Sequence, residues 1–421
     1  MSPRLSRSIA MLLLALASIA AVAGCSGGGK GKGRKEVVVF WQFFPSEQIK
    51  PVLDEFARQN PDIDIQMEQL TWQSGLEKIT AAAAAGNVPD LCELGSTWFP
   101  RFAGQGALVD WSDSTAPLAA ETLLSDMTKV NGRSYGLPWV VGTRALFWNK
   151  ALFARAGLDT ARAPGTWAEL LDAARRVNAL QGGIKGYGAN AGERYVLFKK
   201  FMPYAWGNGG QLLTADGKGS AFDSKANVDA LEFYLALAQN GRVDRQDQLD
   251  EAFMQGKLGA QVSGAWLFRK IPKQAPDLDY GVALVPRPAA DRGTHASFAG
   301  GEVLATFKAS KNPKGAWRLA RYLASPEAAM TLCMANQGVQ PAAAGAINSP
   351  YYLSRPRERV MVEQLASSFP TPNHPAWLDM EAAIEDQVEQ ALYGKVSAAA
   401  AVKAASARID ALAKTTEAPA R

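Results

Sequence analysis

The sequence predicts an α/β protein of two lobes, on three observations. Strand-like and helix-like segments alternate from residue 36 onward, the order that builds a largely parallel sheet. From there the chain runs for about 385 residues, more than one hydrophobic core ordinarily holds. No segment recurs at the spacing of solenoid or propeller repeats, so those architectures are excluded.

Each element has a local reason. Glu36 to Trp41 (EVVVFW) is a β-branched and aromatic run and reads as a buried strand. Ile49, Val52, Leu53 and Phe56 then recur on one helical face, and Asn60-Pro61 ends that helix. IDIQMEQL alternates as a second strand; the helix through EKITAAAAA stops at Gly86-Asn87, and PDLCEL is a third strand. Downstream, Thr166-Trp167-Ala168-Glu169 spells a capping box. Ser325-Pro326 puts an N-cap before a proline in the first helical position. Residues 226–239, 314–323 and 379–392 carry helical periodicity, and the Ala-rich stretch from 398 is a helix that frays into TTEAPAR.

The chain opens on a leader. Arg4 and Arg7 precede an apolar run from Ile9 to Val22, too short for a confident spanning helix, so residues 1–24 read as a signal peptide. Val22-Ala23-Gly24-Cys25 looks like a bacterial lipobox, which implies lipidation of Cys25; a plain secretory signal is the alternative. Residues 25–35, rich in Gly and basic residues, are a flexible tether. The formal charge of +5 includes Arg4, Arg7, Lys30, Lys32, Arg34 and Lys35, so residues 36–421 carry −1. Nothing in that balance calls for nucleic acid. Cys92 and Cys333 are left for an oxidising compartment, as a pair or as buried thiols.

Catalytic chemistry is scarce. His295 and His374 are the only histidines, and no zinc-helix spacing or CxxC occurs. Gly-x-Ser-x-Gly and the phosphate loop are absent, and no carboxylate pair sits in a context that singles out an acid and a nucleophile. An enzyme is not expected, nor a metal or other cofactor.

Tryptophan is abundant instead, with 11 in the chain. Trp111, Trp148, Trp167 and Trp317 lie among apolar neighbours and read as core. Trp41, Trp98, Trp139, Trp206, Trp266 and Trp377 sit beside turn residues, where core and pocket wall are both open. An indole face suits the C–H face of a pyranose ring. Trp41 and Trp98 also fall at carboxyl ends of strands, where open α/β sheets bind ligands.

Four segments, in order, resemble the extracellular solute-binding proteins of sugar ABC transporters, the maltose-binding-like group. They are PDLCELGSTWFPRFAGQGALVDW, YGLPWVVGTRALFWNKALFARAGLD with PGTWAEL behind it, EAFMQGKLGAQVSGAW, and FAGGEVLATFKASKNPKGAWRLARYLASPEAA. The similarity spans roughly residues 36–415. It implies the type II periplasmic-binding-protein fold, with a hinge and an interlobe ligand cleft. Residues 36–143 and 300–345 would form the N-terminal lobe, and 144–299 and 346–415 the C-terminal lobe. Cys92 and Cys333 would then share a lobe, which permits a bridge.

The resemblance also implies a site. Trp41, Gln42 and Phe43 fall in the loop after the first strand; Glu93, Ser96, Thr97 and Trp98 match the loop after PD. Trp139, Thr143 and Arg144 match the hinge strand, and Glu193 and Tyr195 match a ligand-contacting Glu-x-Tyr. Trp206 and Asn208 match less well. Trp266 and Trp377 match stacking aromatics of the second lobe. Gly300 and Gly301 would let backbone approach the ligand. Gly142 departs from the pattern, standing where members often hold an acidic residue. The implied function is capture of a sugar or oligosaccharide for membrane permease subunits, by a monomer lipid-anchored on the periplasmic side of the envelope. The alternatives are a binder of glycerol-phosphate or a polyamine on the same fold, a sensor that docks a receptor, and a secreted glycoside hydrolase.

Overall fold

The computed structural model describes residues 35–414. The leader, Cys25, most of the tether and the TTEAPAR tail lie outside the described residues. Within them the strands are, in chain order, β1 (Glu36–Gln42), β2 (Ile63–Gln69), β3 (Leu91–Gly95), β4 (Lys129–Val130), β5 (Arg133–Ser134), β6 (Leu137–Thr143) and β7 (Ala145–Asn149). They continue as β8 (Lys185–Asn190), β9 (Gly241–Asp244), β10 (Leu258–Ser263), β11 (Tyr280–Ala283), β12 (Ser297–Ala305), β13 (Gln340–Pro341) and β14 (Ser368–Phe369).

The expected opening is present. β1 pairs in parallel with β2 along its whole length and with β3 at Phe40↔Leu91 and Trp41↔Cys92. The helix Ser46–Gln59 lays Ile49, Val52, Leu53 and Phe56 on these strands and stops at Asn60. Gly86, in the left-handed region at φ 68°, closes the helix Gly75–Ala85. The sheet is less uniformly parallel than expected, because β12 enters antiparallel between β3 and β6. The order is β13-β6-β12-β3-β1-β2, with β14 beside the start of β12.

A second sheet runs β11-β7-β10-β8-β9. One residue, Arg144, separates β6 of the first sheet from β7 of the second. A seam forms there. The Thr143 hydroxyl donates to the Phe298 carbonyl (2.7 Å) and lies 2.8 Å from the Ser368 hydroxyl, while Ser297 donates to the Arg144 carbonyl (2.7 Å). Three passages of the chain between the sheets are thus tied together at one level.

Helix ends follow the chemistry read from the sequence. Thr166 and Glu169 form the reciprocal capping box, and Ser325 accepts from the Ala328 amide. The helices Lys225–Gln239, Pro313–Leu323 and Trp377–Leu392 cover the periodic segments. Cys92 and Cys333 are free thiols, each packed in a different apolar cluster. The bridge that a shared lobe would permit is not formed. Among the described residues no helix is long and apolar enough to cross a membrane.

Candidate functional site

One wall of the site rises from the carboxyl ends of β1 and β3. The Phe43 amide donates to Glu93 Oε2 at 2.8 Å, which holds the turn after β1 against β3. The Phe43 ring stacks on Trp72, with centroids 4.2 Å apart and planes 18° from parallel, and meets the edge of Trp98 at 5.8 Å. Trp72 and Trp98 are 5.1 Å apart. Gly95 leaves room for this arrangement, since a Cβ there would lie 3.4 Å from the Trp72 ring. Trp72 is 49% exposed despite that stacking, so the wall presents an indole to solvent. Trp41, half-buried, carries the Lys78 ammonium 4.7 Å above its ring.

The other wall begins where β10 ends. Trp266 opens the helix Leu267–Gln274, and its indole N–H donates to Asp250 Oδ2 at 2.7 Å. Asp250 is fully buried and also accepts from Gln246, Gln261, Ser263 and Lys270. Its five donors hold the indole in one orientation. The Arg144 guanidinium lies 4.8 Å from the Trp266 ring and 5.4 Å from Phe298, within cation–π range of both. Lys200, donating to the Val262 carbonyl, is 5.0 Å from Trp266, and Lys199 is 5.4 Å from Phe298. Gly338 lies beside Trp266, where a Cβ would stand 3.4 Å from Trp266 Cα.

Carboxylates accompany both aromatic groups. Register pairs Leu304 with Glu93 and Glu302 with Gly95, so Glu93 and Glu302 project from one face of the sheet. Burial raises both carboxyls, Glu93 well above the usual range and Glu302 to about 7, where Arg144 and Lys199 oppose the shift. From the helix Trp377–Leu392, burial raises Glu381 to about 8, again opposed by Lys199. Glu385 beside it accepts from the amides of Tyr195 and Phe198. Burial in turn holds Arg144 down to about 10 and lowers both lysines. Among the described residues no group of His, Cys, Asp and Glu could hold a metal ion.

Residues 45–330 match the bacterial extracellular solute-binding protein family. The chain belongs to that family. It is 27% identical over 415 residues to a binding protein of Brucella abortus strain 2308, covering 95% of this chain and 97% of the relative. Its fold is similar to an ABC transporter solute-binding protein of Thermotoga lettingae bound with alpha-D-tagatose. That match has a TM-score of 0.80 at 27% identity and covers 90% of this chain and 100% of the other. A cyclic alpha-maltosyl-1,6-maltose binding protein of Arthrobacter globiformis is similar at a TM-score of 0.79 and 25% identity, covering 90% and 100%. The two-lobe maltose-binding-like fold is thus the fold of this solute-binding protein.

The expected site residues fall into two groups. Trp41, Phe43, Glu93, Trp98, Arg144 and Trp266 lie along the two walls, with Ser96 and Thr97 in the turn after β3. Tyr195, at φ 63°, packs its ring against the cluster that holds Phe43 and Trp98. Several others are built into the scaffold. Gln42 is buried, accepting from the Phe44 amide and donating to Met67 Sδ. Thr143 belongs to the seam, and Glu193 accepts from the Gln246 amide. Asn208 is tied to the Ala226 carbonyl and to Arg292.

Other expected residues of the solute-binding protein are covered by its own packing. Trp139 is fully buried, because β6 lies between β12 and β13 and both its faces are covered. Trp377 is 1% exposed, with its edge on Phe198. Trp206 has its ring covered by Phe369, stacked at 5.5 Å. Gly300 and Gly301 are set by packing within the protein. A Cβ would come 2.4 Å from the Phe298 ring at the first and 2.0 Å from the Val140 carbonyl at the second.

Sequence reasoning also missed residues. Trp72 sits beside a turn like the others and could have been found by the same rule. Lys199-Lys200 interrupts the otherwise apolar helix Phe198–Gly207, which is a signal in itself. Replacing Trp72 with alanine is expected to leave thermal stability nearly unchanged. It should weaken ligand binding about tenfold, the scale of one aromatic contact of about 1.4 kcal/mol, as read by calorimetric titration.

Proposed function

We propose that this solute-binding protein captures a sugar or oligosaccharide between its lobes and hands it to the permease subunits of an ABC importer. The observation that carries the reading is two aromatic groups, Phe43 with Trp72 and Trp98, and Trp266 with Phe298 about the Arg144 guanidinium. Indole faces suit the apolar faces of pyranose rings, and ionised side chains hydrogen-bond the hydroxyls. The sugars bound by the Thermotoga and Arthrobacter neighbours support the same reading.

Residues 36–143 with 300–345 and residues 144–299 with 346–415 are the two bodies that close on the sugar. A ligand that touches both walls favours the closed arrangement by its difference in affinity for the two states. Closing recruits the permease. Cys25 carries the lipid that keeps the protein, as a monomer, on the periplasmic side of the envelope.

Arg144, Lys199 and Lys200 converge more closely than the sequence suggested, which favours a second reading as a glycerol-phosphate binder. Arg194 does not join them, being paired with Asp386 on the surface. Against it, burial lowers both lysines and Lys200 already donates to the Val262 carbonyl, which weakens their hold on a phosphate. A thermal-shift screen of mono- and oligosaccharides beside glycerol-phosphate decides between them. At least one saccharide should raise the midpoint by several degrees, as binding to the folded state requires. A shift from glycerol-phosphate alone would sink the sugar reading.

A further inference from the structure

Tyr195 spans the two sheets in a conformation that its residue type disfavours. It follows β8 of the second sheet, yet its ring packs against the apolar cluster that Cys92, Leu94, Val303 and Ala305 of the first sheet help to build. Its backbone sits at φ 63°. A large side chain in the left-handed region persists only where its surroundings fix it.

The helix Trp377–Leu392 supplies the fixing. Ala382, Glu385, Asp386 and Glu389 recur at helical spacing on one face of it, and all four reach segment 192–198. Arg194 donates to the Ala382 carbonyl at 3.2 Å and pairs with Asp386 at 2.7 Å, and the Gly192 amide donates to Glu389 at 3.3 Å. Those three contacts are exposed, where water competes and each holds weakly. Glu385 differs, being 3% exposed with both oxygens engaged. Oε2 accepts the Tyr195 amide at 2.8 Å and Oε1 accepts the Phe198 amide at 3.1 Å.

One buried carboxylate therefore grips the turn at Tyr195 and again three residues on. The second bond also caps the helix Phe198–Gly207, whose own N-cap residue, Leu197, offers no side-chain acceptor. The clamping helix is itself rooted in the first-sheet cluster, through Leu378.

We propose that Glu385 is a positioning residue for sugar capture: it holds Tyr195 in the left-handed turn from which its ring bridges the two sheets. This rests on the sugar reading above and deepens it. A contact that joins the sheets favours the closed arrangement, and a turn ordered in advance spares the ligand that ordering. Glutamine at 385 has one acceptor for two amides and turns an N–H₂ toward the other. The turn then relaxes and the Tyr195 ring leaves the cluster.

The test is a double-mutant cycle read by calorimetric titration, with the most stabilising saccharide of the thermal-shift screen. Glu385→Gln and Tyr195→Ala should each weaken binding on the order of tenfold. The double variant should bind within about twofold of Tyr195→Ala, because Glu385 acts through Tyr195. Should Glu385→Gln fail to fold, Glu385→Asp, which keeps the charge and shortens the reach, takes its place in the cycle. A general structural role predicts instead that the two losses multiply, and that result overturns the proposal. Affinity of the Glu385 variant within threefold of the parent overturns it too, and both results leave the sugar reading standing. A parent that binds no saccharide overturns both.

Discussion

Trp266→Ala should cost about 100-fold in sugar affinity, close to 2.7 kcal/mol, the range of a buried aromatic anchor. The residue joins more of the site than any other. Its indole N–H is held by Asp250, its ring faces Arg144 and Lys200, and its backbone lies beside Gly338. Truncation removes the stacking face and leaves Asp250 short of one donor and Arg144 short of one ring. Trp266→Phe keeps an aromatic face but not the N–H, so an intermediate loss of about tenfold is expected. Calorimetric titration with the most stabilising saccharide of the thermal-shift screen reads both values. Affinity within threefold of the parent for the alanine variant removes Trp266 from the site.

Trp266 was expected from its turn neighbours Ser-Gly-Ala and its family segment, and Trp41 and Trp98 from their places at strand ends. At Trp139 Gly-Leu-Pro suggested a turn, and the residue lies inside β6 instead. Adjacency to a turn gives position along the chain, not depth. Depth here comes from β12, whose pairing with β6 joins residues more than 150 apart, such as Ala299 and Thr143. No local pattern encodes that insertion.

The early β-α-β-α-β order was legible for the opposite reason. Its pairings are short-range crossovers whose helices carry their own periodicity and stops. The acidic half of the site was readable only in part. Glu93 came from its family segment, but Glu302 and Glu381 look like ordinary charged residues in a strand and a helix.

Trp139→Ala should therefore behave as a core deletion rather than a site deletion. The ring has no exposed surface, meeting Phe44 edge-on at 5.2 Å and Phe40 at 6.1 Å. Removing it leaves a cavity between rings that cannot collapse without moving β6 or the Phe40 strand. The expected cost is about 3–5 kcal/mol, a fall of roughly 6–15 °C in the unfolding midpoint of the lobe that holds it. Ligand affinity of the folded fraction should stay within about threefold of the parent, since no stacking face is lost. The indole N–H has no partner, so Trp139→Phe sacrifices no hydrogen bond and should cost far less than alanine. Thermal unfolding followed by circular dichroism, paired with calorimetric titration below the transition, separates the two effects. The reverse pattern, stability kept and affinity lost, would return Trp139 to the ligand wall. The contrast with Trp266 makes the pair informative: one tryptophan should move the melting curve and the other the binding isotherm.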